Sequence, residues 1–590
     1  MSSSPAPSKP NPPRASATLI VVRDAAPAAV GEAGAGPSLE VLLLARAERG
    51  DHNSGAWVFP GGIVDARDAR WHACVAGLDD AAASTRLGVE RGGLDAYIAA
   101  ARECFEEAGL LFAVESRGDS PASSADSPAG PLQPASRVDD LQHWRGPLHR
   151  GERGLDEFCA ETSLKLALDR FAYFSHWLTP PGRMKRFDTR FFLALAPAGQ
   201  VAAHDDVELK AHRWVRPADA LAEAKAQGDG FKLMGPTIAT LMELKRFANA
   251  QAAFDWAAAP REVPLIAPRM GTGSKGVRPV LPQDPAWAEI ARIDHNGDWN
   301  ASYEINPGVA VWLSPRVLRV PANNGSQMTG PGTNSYFVGG GSMGGGRNEW
   351  ALIDPGPDDA AHVQALLAHA PGPVRWIFAT HTHKDHSPAT LALKAATGAQ
   401  VFGRVADHPE WQDQTFVPDV ALQGGERFAL DGATLRAVHT PGHASNHICY
   451  LLEEEKTLFT GDHVMQGSTV VINPPDGDMS AYLASLRSLL DEDLEWLAPG
   501  HGFLIAQPRR AIEALIAHRL KREAKVAAAL TLLHSATLDA LLARVYDDVP
   551  ERLHAMARRS LLAHLLKLRD DGRARGDGER WVAVEASGLA

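Results

Sequence analysis

At 590 residues the chain exceeds what one hydrophobic core supports, so length alone predicts about two to four domains. A net charge of −12 argues against a general polyanion binder, while 45% hydrophobic and 22% charged residues are ordinary for a globular chain. The four cysteines (Cys74, Cys104, Cys159, Cys449) include no C-x-x-C pair, which excludes a disulfide framework or a cysteine-rich zinc knuckle and suits a reducing compartment.

Residues 1–15 are rich in Ser and Pro and lack an apolar core, so they read as a disordered tail rather than a signal peptide. No run of about 18 apolar residues occurs, so no membrane span is expected, and a soluble cytoplasmic protein follows. Alternating apolar residues over 17–22 predict a first strand, and the run 39–45 a second after a Gly/Ala-rich break. Residues 96–109 read as a helix capped by Gly109. From 114 to 145 the composition turns to Ser, Pro, Ala, Asp and Gly, predicting a disordered insertion. Strand-like runs return at 172–178 and 189–195 around a Pro-Pro-Gly turn, and a helical stretch follows near 232–257.

On the helix at 96–109, Glu103, Glu106 and Glu107 fall at i, i+3 and i+4 and present three carboxylates on one face. Such a cluster repels itself unless it binds a hard cation, and Mg²⁺ or Mn²⁺ bridging to a diphosphate is the natural answer; a solvated acidic face is the alternative. Arg102 is placed to pair with one of them. Arg102-Glu-Cys-Phe-Glu-Glu-Ala-Gly-Leu110 resembles the second half of a Nudix box, with Phe59-Pro-Gly-Gly62 upstream. The spacing departs from the pattern: 39 residues separate Gly62 from Arg102, and Leu94 stands where a further glutamate is expected. A subset similar to the peroxisomal coenzyme A diphosphatases carries such an insertion, and Trp177–Gly182 and Lys185–Phe192 resemble it as well. The resemblance implies a Nudix α/β/α sandwich over 16–257, with Glu103, Glu106 and Glu107 as metal ligands and Glu106 and Glu107 catalytic. It also implies that Arg46, in Leu42-Leu-Leu-Ala-Arg46, contacts a coenzyme A-like substrate.

A Pro/Gly-rich stretch over 258–312 reads as a linker. From 313 to 505 strand and helix signals alternate, as in a layered α/β domain, with Gly339–Gly346 as a flexible hairpin insertion. Residues 506–590 predict three short helices and a hairpin near Arg573–Glu585, a winged-helix-like appendix. The appendix from Arg509 onward holds 15 Lys/Arg against 11 Asp/Glu, which fits a phosphate-backbone contact or merely a solvated helical face.

Ile377–Thr380 predicts a strand, and His381, His383, Asp385 and His386 follow it within six residues. Four such groups crowd one tetrahedral ion but divide comfortably between two ions a few ångströms apart. His443, Asp462 and His501 each stand beside a small-residue turn at a later predicted strand end. This set resembles the metallo-β-lactamase superfamily over about 315–505. That resemblance implies an αβ/βα sandwich in which His381, His383 and His443 hold one metal, Asp385, His386 and His501 the other, and Asp462 bridges. Two Zn²⁺ ions suit the all-His/Asp shell, with manganese or iron as alternatives, and would bring a shared water's pKa near 7, with Asp385 in a catalytic role. Asp354 matches the family's buried aspartate that orients a ligating histidine; a strand-end turn is the plainer reading.

Met328–Tyr336, Thr440–His447 and Gly461–Thr469 resemble the lactamase-like endoribonuclease subgroup, although Ala444 and Asn446 depart from its pattern. The reading is a bifunctional metal-dependent hydrolase. A phosphodiester, with single-stranded RNA as partner, is expected at the second site and a nucleoside diphosphate derivative at the first. The rival is a thioester hydrolase similar to glyoxalase II, with the Nudix half as a non-catalytic ligand-sensing module.

Overall fold

The computed structural model describes residues 11–25, 39–47, 55–116, 130–205, 209–340, 348–430, 432–576 and 580–584. The chain divides into two compact units, Met1–Pro268 and Arg269–Ala590.

In the first unit the strands are β1 (Arg14–Asp24), β2 (Leu39–Arg46), β3 (Ala172–Leu178), β4 (Phe187–Leu195) and β5 (Leu209–Val215). They lie in the order β5-β2-β1-β4-β3, and β1 runs parallel to β4 from Arg14↔Phe187 to Val22↔Leu195. β1 is central and buried on both faces: Leu19, Ile20, Val21 and Val22 are all fully covered, a continuous apolar run rather than an alternation. Helix α1 (Gly93–Ala108) packs Tyr97, Ile98, Ala101 and Phe105 into the core of this unit. It stops at Gly109, whose φ of +69° lets its N–H bond back to the Phe105 carbonyl.

Two expectations need correction here, and a third is refined. β1 starts at Arg14, so the end of the supposed tail is strand; residues 1–10 lie outside the described set. Residues 130–145 are not disordered: they form the helix Ala135–Leu141 and the turns after it. Val138, Trp144 and Leu148 bury themselves against Phe158 and the rest of the core, so sparse but well-spaced apolar residues outweigh a polar composition. The stretch 117–129 lies outside the described residues. The helical stretch near 232–257 is two helices, Gly235–Leu244 and Ala250–Ala258, because Asn249 caps a fresh N-terminus by accepting the Ala252 N–H.

The second unit is a four-layer αβ/βα sandwich. Helix α2 (Trp287–Ile293) precedes the strands β6 (Val311–Ser314), β7 (Val317–Pro321), β8 (Asn334–Gly339), β9 (Trp350–Ile353), β10 (Val374–Phe378), β11 (Gln400–Gly403) and β12 (Val420–Ala421). These form, among the described residues, a seven-stranded sheet in chain order. A second sheet holds β13 (Arg427–Leu430), β14 (Ala433–His439), β15 (Ile448–Leu452), β16 (Thr457–Gly461), β17 (Trp496–Pro499) and β18 (Ile505–Ala506). Their facing sides interdigitate through Tyr336, Ile353, Phe378, Tyr450 and Phe459. Helices α3 (Ala360–His369) and α4 (Thr390–Thr397) cover the first sheet, and α5 (Met479–Ser488) and α6 (Pro508–Leu533) the second. The chain then adds α7 (Leu538–Val545), α8 (His554–Asp570) and the short strands Ala574–Gly576 and Arg580–Ala583, closed over Trp581. Of the appendix helices α6 is long, at 26 residues, not short. Residues 341–346 of the expected glycine hairpin, and 577–579 and 585 of the terminal one, are outside the described set.

The supposed linker is largely part of this second unit. Glu289 on α2 meets Arg319 on β7 in a two-pronged pair at 2.7 and 2.8 Å, both side chains 2% exposed, and also accepts the Leu504 N–H. A buried charge survives only when paired, and Glu289 is the partner that Arg319 requires.

Candidate functional site

Strand ends along one edge of the sandwich carry the chemistry. His381–His386 follow β10, His443 follows β14, Asp462 follows β16 and His501 follows β17. The sandwich brings all seven ligand candidates together in two clusters, His381/His383/His443 and Asp385/His386/Asp462/His501, each with its ligand atoms within 4.8 Å of one another.

In the first cluster His383 Nδ1 lies 2.8 Å from His381 Nε2 and 3.0 Å from His443 Nε2. In the second, His386 Nε2 and His501 Nε2 each lie 3.3 Å from Asp385 Oδ2, and 3.4 and 3.2 Å from Asp462 Oδ1. Ligands about 2.0–2.1 Å from a shared tetrahedral ion sit roughly 3.3–3.4 Å apart, so the second cluster's spacings fit a common centre, while the first cluster is drawn in more tightly. Asp462 faces both clusters, with Oδ2 at 3.6 Å from His443 Nε2.

Hydrogen bonds on the far side of each ring set the tautomers. His443 Nδ1 donates to the Val471 carbonyl (2.8 Å), His501 Nδ1 to the Gly332 carbonyl (3.2 Å) and His386 Nδ1 to Asp354 (2.9 Å). Each leaves its Nε2 lone pair pointing inward, as a metal ligand must. His386 Nε2, His501 Nε2 and Asp462 Oδ1 are buried and have no hydrogen-bond partner in the protein. Orphaned polar atoms converging on one point are the mark of a cation site rather than of a packed core.

The electrostatics agree. Burial pushes His381 and His443 down and His383 down to about 3, giving neutral rings. Burial also opposes charge on His501, but Asp462 and Asp385 outweigh it and lift the ring to about 9; the carboxylates lift His386 likewise. The second cluster therefore demands positive charge, which a divalent cation supplies as well as protons do.

Local sequence explains the placement. Asp354 sits at φ +52° after β9, its carboxylate accepting the Thr380 N–H (2.7 Å), the Thr380 hydroxyl (2.9 Å) and His386 Nδ1. It thus anchors the start of the histidine run rather than merely turning a strand. Asn334 donates to the Pro499 and Gly502 carbonyls and Tyr336 to Pro499, so the segment Met328–Tyr336 holds the His501 turn. A Cβ on Gly500 would lie 2.7 Å from His386 Cε1 and 2.9 Å from Asp462 Oδ1, so only glycine fits there. Asn446, which departs from the endoribonuclease pattern, donates to the Thr382 hydroxyl and to the Arg404 carbonyl, and the latter is an acceptor a carboxylate could not satisfy.

Sequence reasoning missed Gln412, buried between Thr382 and Asp476 and paired through its backbone with His383. It also missed the fully buried His447 and His463; His447 stacks 5.0 Å from His381, and its position in Pro-Gly-His-Ala-Ser-Asn-His447 was the available signal.

In the first unit the carboxylates are gathered less tightly. Arg102 is buried and pairs with Asp68 (3.0 Å), Glu103 (2.8 Å) and Glu106 (3.4 Å), while Glu107 accepts the Gly61 N–H at 2.9 Å. Glu103 lies against Gly62, whose Cβ would be 2.4 Å from its carboxyl. Glu103, Glu106 and Glu107 are not among the groups whose ligand atoms converge. Three carboxylates nevertheless surround one guanidinium, and burial with Glu103 nearby raises Glu106 to about 7 despite Arg102. Asp68 lies in the insertion that lengthens the motif, and no spacing rule points to it. Arg46 stands at the end of β2, where its backbone N–H donates to the Ala56 carbonyl at 3.0 Å. A third group, His72/Asp80/Asp95, is structural in part: Asp80 accepts the Gly92 and Leu94 N–H groups that open α1.

Residues 328–501 match the family model of the metallo-beta-lactamase superfamily, 91–229 that of the NUDT19 Nudix domain and 537–581 that of the beta-lactamase associated winged helix domain. The beta-lactamase-like protein 2 homolog of Drosophila melanogaster is 31% identical over 294 residues, 47% of this chain and 97% of that protein. The chain belongs to the metallo-β-lactamase superfamily. Another relative, the atrochrysone carboxyl ACP thioesterase of Pseudocercospora fijiensis, is 30% identical over 46% of this chain and 81% of its own length. The crystal structure of a metallo-beta-lactamase family protein from Thermus thermophilus is 24% identical, covers 46% of this chain and 100% of that one, and has a TM-score of 0.39. This superfamily member is a hydrolase with an N-terminal Nudix domain and a C-terminal winged-helix domain. Both enzyme families imply divalent metals. Among the described residues no helix is long and apolar enough to cross a membrane.

Proposed function

We propose that the second unit hydrolyses a thioester at a two-metal centre. The observation that carries this reading is the pair of ligand clusters joined by Asp462, one carboxylate oxygen facing each. His381, His383 and His443 would hold one divalent cation, and Asp385, His386 and His501 the other, with Asp462 reaching both; zinc suits these donors best. A cation pair there supplies an activated water and electrophilic stabilisation of the attacked carbonyl. Asp385 is the most exposed of the acidic ligands, with 26% of its side chain open. It accepts the proton released as water adds to the carbonyl carbon, and returns it to the thiolate as the C–S bond breaks.

The thioester is preferred over the expected phosphodiester for two reasons. The P. fijiensis relative is named a thioesterase. The appendix, whose positive charge suggested a nucleic-acid contact, spends many of its cations internally: Arg522 on Asp548, Lys525 on Asp547, Arg558 on Asp539, and Lys567 and Arg573 on Glu523.

For the first unit we propose cleavage of a nucleoside diphosphate derivative of coenzyme A type, with Mg²⁺ or Mn²⁺ held by Glu103, Glu106 and Glu107. The excess of carboxylate over guanidinium around Arg102 supports a cation there.

Purified full-length protein assayed on an acyl-CoA, a short single-stranded RNA and a nucleoside diphosphate derivative tests both readings. Asp462→Ala should abolish thioester turnover and leave diphosphate cleavage intact, and Glu107→Gln should do the reverse. RNA cleavage without thioester turnover would return the second site to the phosphodiester.

A further inference from the structure

The loop 404–418 places an exposed aromatic beside the first ligand cluster. Gln412 is buried, and its backbone pairs with that of His383. Its side chain is fixed at both ends, to the Thr382 hydroxyl (2.9 Å) and to Asp476 (2.8 Å). The neighbouring Trp411 is therefore held at a defined point, yet it is 58% exposed.

Helix α8 of the winged-helix domain meets this ring. The Arg559 guanidinium lies 5.8 Å from the Trp411 ring centre. The next residue, Ser560, is buried, and its hydroxyl accepts the Ile472 N–H at 3.5 Å. The adjacent Val471 carbonyl orients His443. One short segment thus ties α8 to the histidine cluster, so Arg559 is positioned by the same loop that positions a ligand. Arg558 beside it is neutralised by Asp539, but Arg559 has no acidic partner within ion-pair distance among the described residues. Lys384, exposed between His383 and Asp385, has none either. The opposing charges on this loop are the exposed Asp407 and Glu410 and the half-buried Asp413, whose carboxylate accepts the Ser387 and Thr415 hydroxyls.

We propose that Trp411 and Arg559, with Lys384, form a rim that recognises the phosphate of a phosphopantetheine arm carrying the thioester. The inference rests on the thioester reading above. At 5.8 Å from the ring centre the Arg559 guanidinium is within cation–π reach of Trp411, which biases its position while its charge stays available to a phosphate. Coenzyme A and acyl carrier proteins present the same arm, so the rim reads the chemistry that the two share.

The test compares KM and kcat of the full chain for three thioesters of one acyl group: the acyl-CoA, the acylated carrier protein and the phosphate-free N-acetylcysteamine thioester. Arg559→Gln and Trp411→Leu should each raise KM about tenfold for the phosphate-bearing substrates, with kcat within about twofold. Neither should alter turnover of the N-acetylcysteamine thioester. Glu410→Gln, which removes a nearby negative charge, should lower KM for the phosphate-bearing substrates alone. An effect confined to the acyl-CoA or to the carrier protein supports the rim and identifies the source of the phosphate. Equal effects on all three substrates, or none in either variant, overturn it. Failure of wild-type protein to cleave any of the three removes the thioester reading and the rim with it.

Discussion

Asp354→Ala isolates how much of the metal site is built by residues that never touch the metal. The carboxylate accepts three buried hydrogen bonds, from the Thr380 N–H, the Thr380 hydroxyl and His386 Nδ1. Truncation frees the His386 ring to turn, and losing such an orienting partner lowers metal affinity about 10–100-fold, or roughly 1.4–2.7 kcal/mol. It also strands the Thr380 donors in a site closed to water, at about 1–3 kcal/mol for each one left unpaired. The Thr380 N–H cannot rotate away, so at least one such cost is unavoidable. The assay has two arms. Metal content of purified wild type and variant is followed against a graded chelator, and thermal unfolding is followed in the metal-free state. The expected result is earlier metal loss in the variant together with a lower unfolding temperature without metal. Unchanged chelator resistance would refute the claim that Asp354 aims His386, and leave Asp354 a simple strand-end turn.

Two further outcomes follow from the same reasoning. Glu289→Ala leaves the Arg319 guanidinium buried without its partner, and should destabilise the second unit by about 3–5 kcal/mol in a denaturant titration, whereas the double change Glu289→Leu with Arg319→Met should recover much of that loss. Gly500→Ala forces its new Cβ against His386 and Asp462, and a misplacement on the order of 1 Å should cut turnover at the second site about 100-fold while circular dichroism stays unchanged.

The ligand set was legible because four members crowd into six residues after one strand, while His443, Asp462 and His501 each stand beside a small-residue turn, local signals that survive without knowledge of the fold. His381 to His386, His443, Asp462 and His501 are each readable from a few neighbouring positions. What the sequence did not disclose is mostly long-range. Gln412 is joined to Thr382 and Asp476 across 30 and 64 residues, and no local pattern marks it. Glu289 lay in a stretch whose Pro and Gly content suggested a linker, yet one short amphipathic helix there answers a charge on β7. Composition averages over a window, and a single buried ion pair is invisible to an average. Residues 130–145 fail in the same way, with Val138 and Trp144 deciding what the polar majority could not.

The carboxylate helix of the first unit makes the opposite case. There Arg102, Glu103, Glu106 and Glu107 are all present, but spacing was the weaker evidence, because 39 residues intervene between Gly62 and Arg102. The fold removes much of that doubt by closing the gap in space: Gly61 donates to Glu107, and Gly62 abuts Glu103. Leu94, which replaces the further glutamate expected upstream, is core. Asp68, supplied from within the insertion, binds Arg102 on a flank that Glu103 and Glu106 leave open. The inserted residues thus return a carboxylate to the same guanidinium that the motif was to serve. Arg102 holds Asp68, Glu103 and Glu106 at once, so three carboxylates share one guanidinium, and burial answers part of that excess by raising Glu106 to about 7.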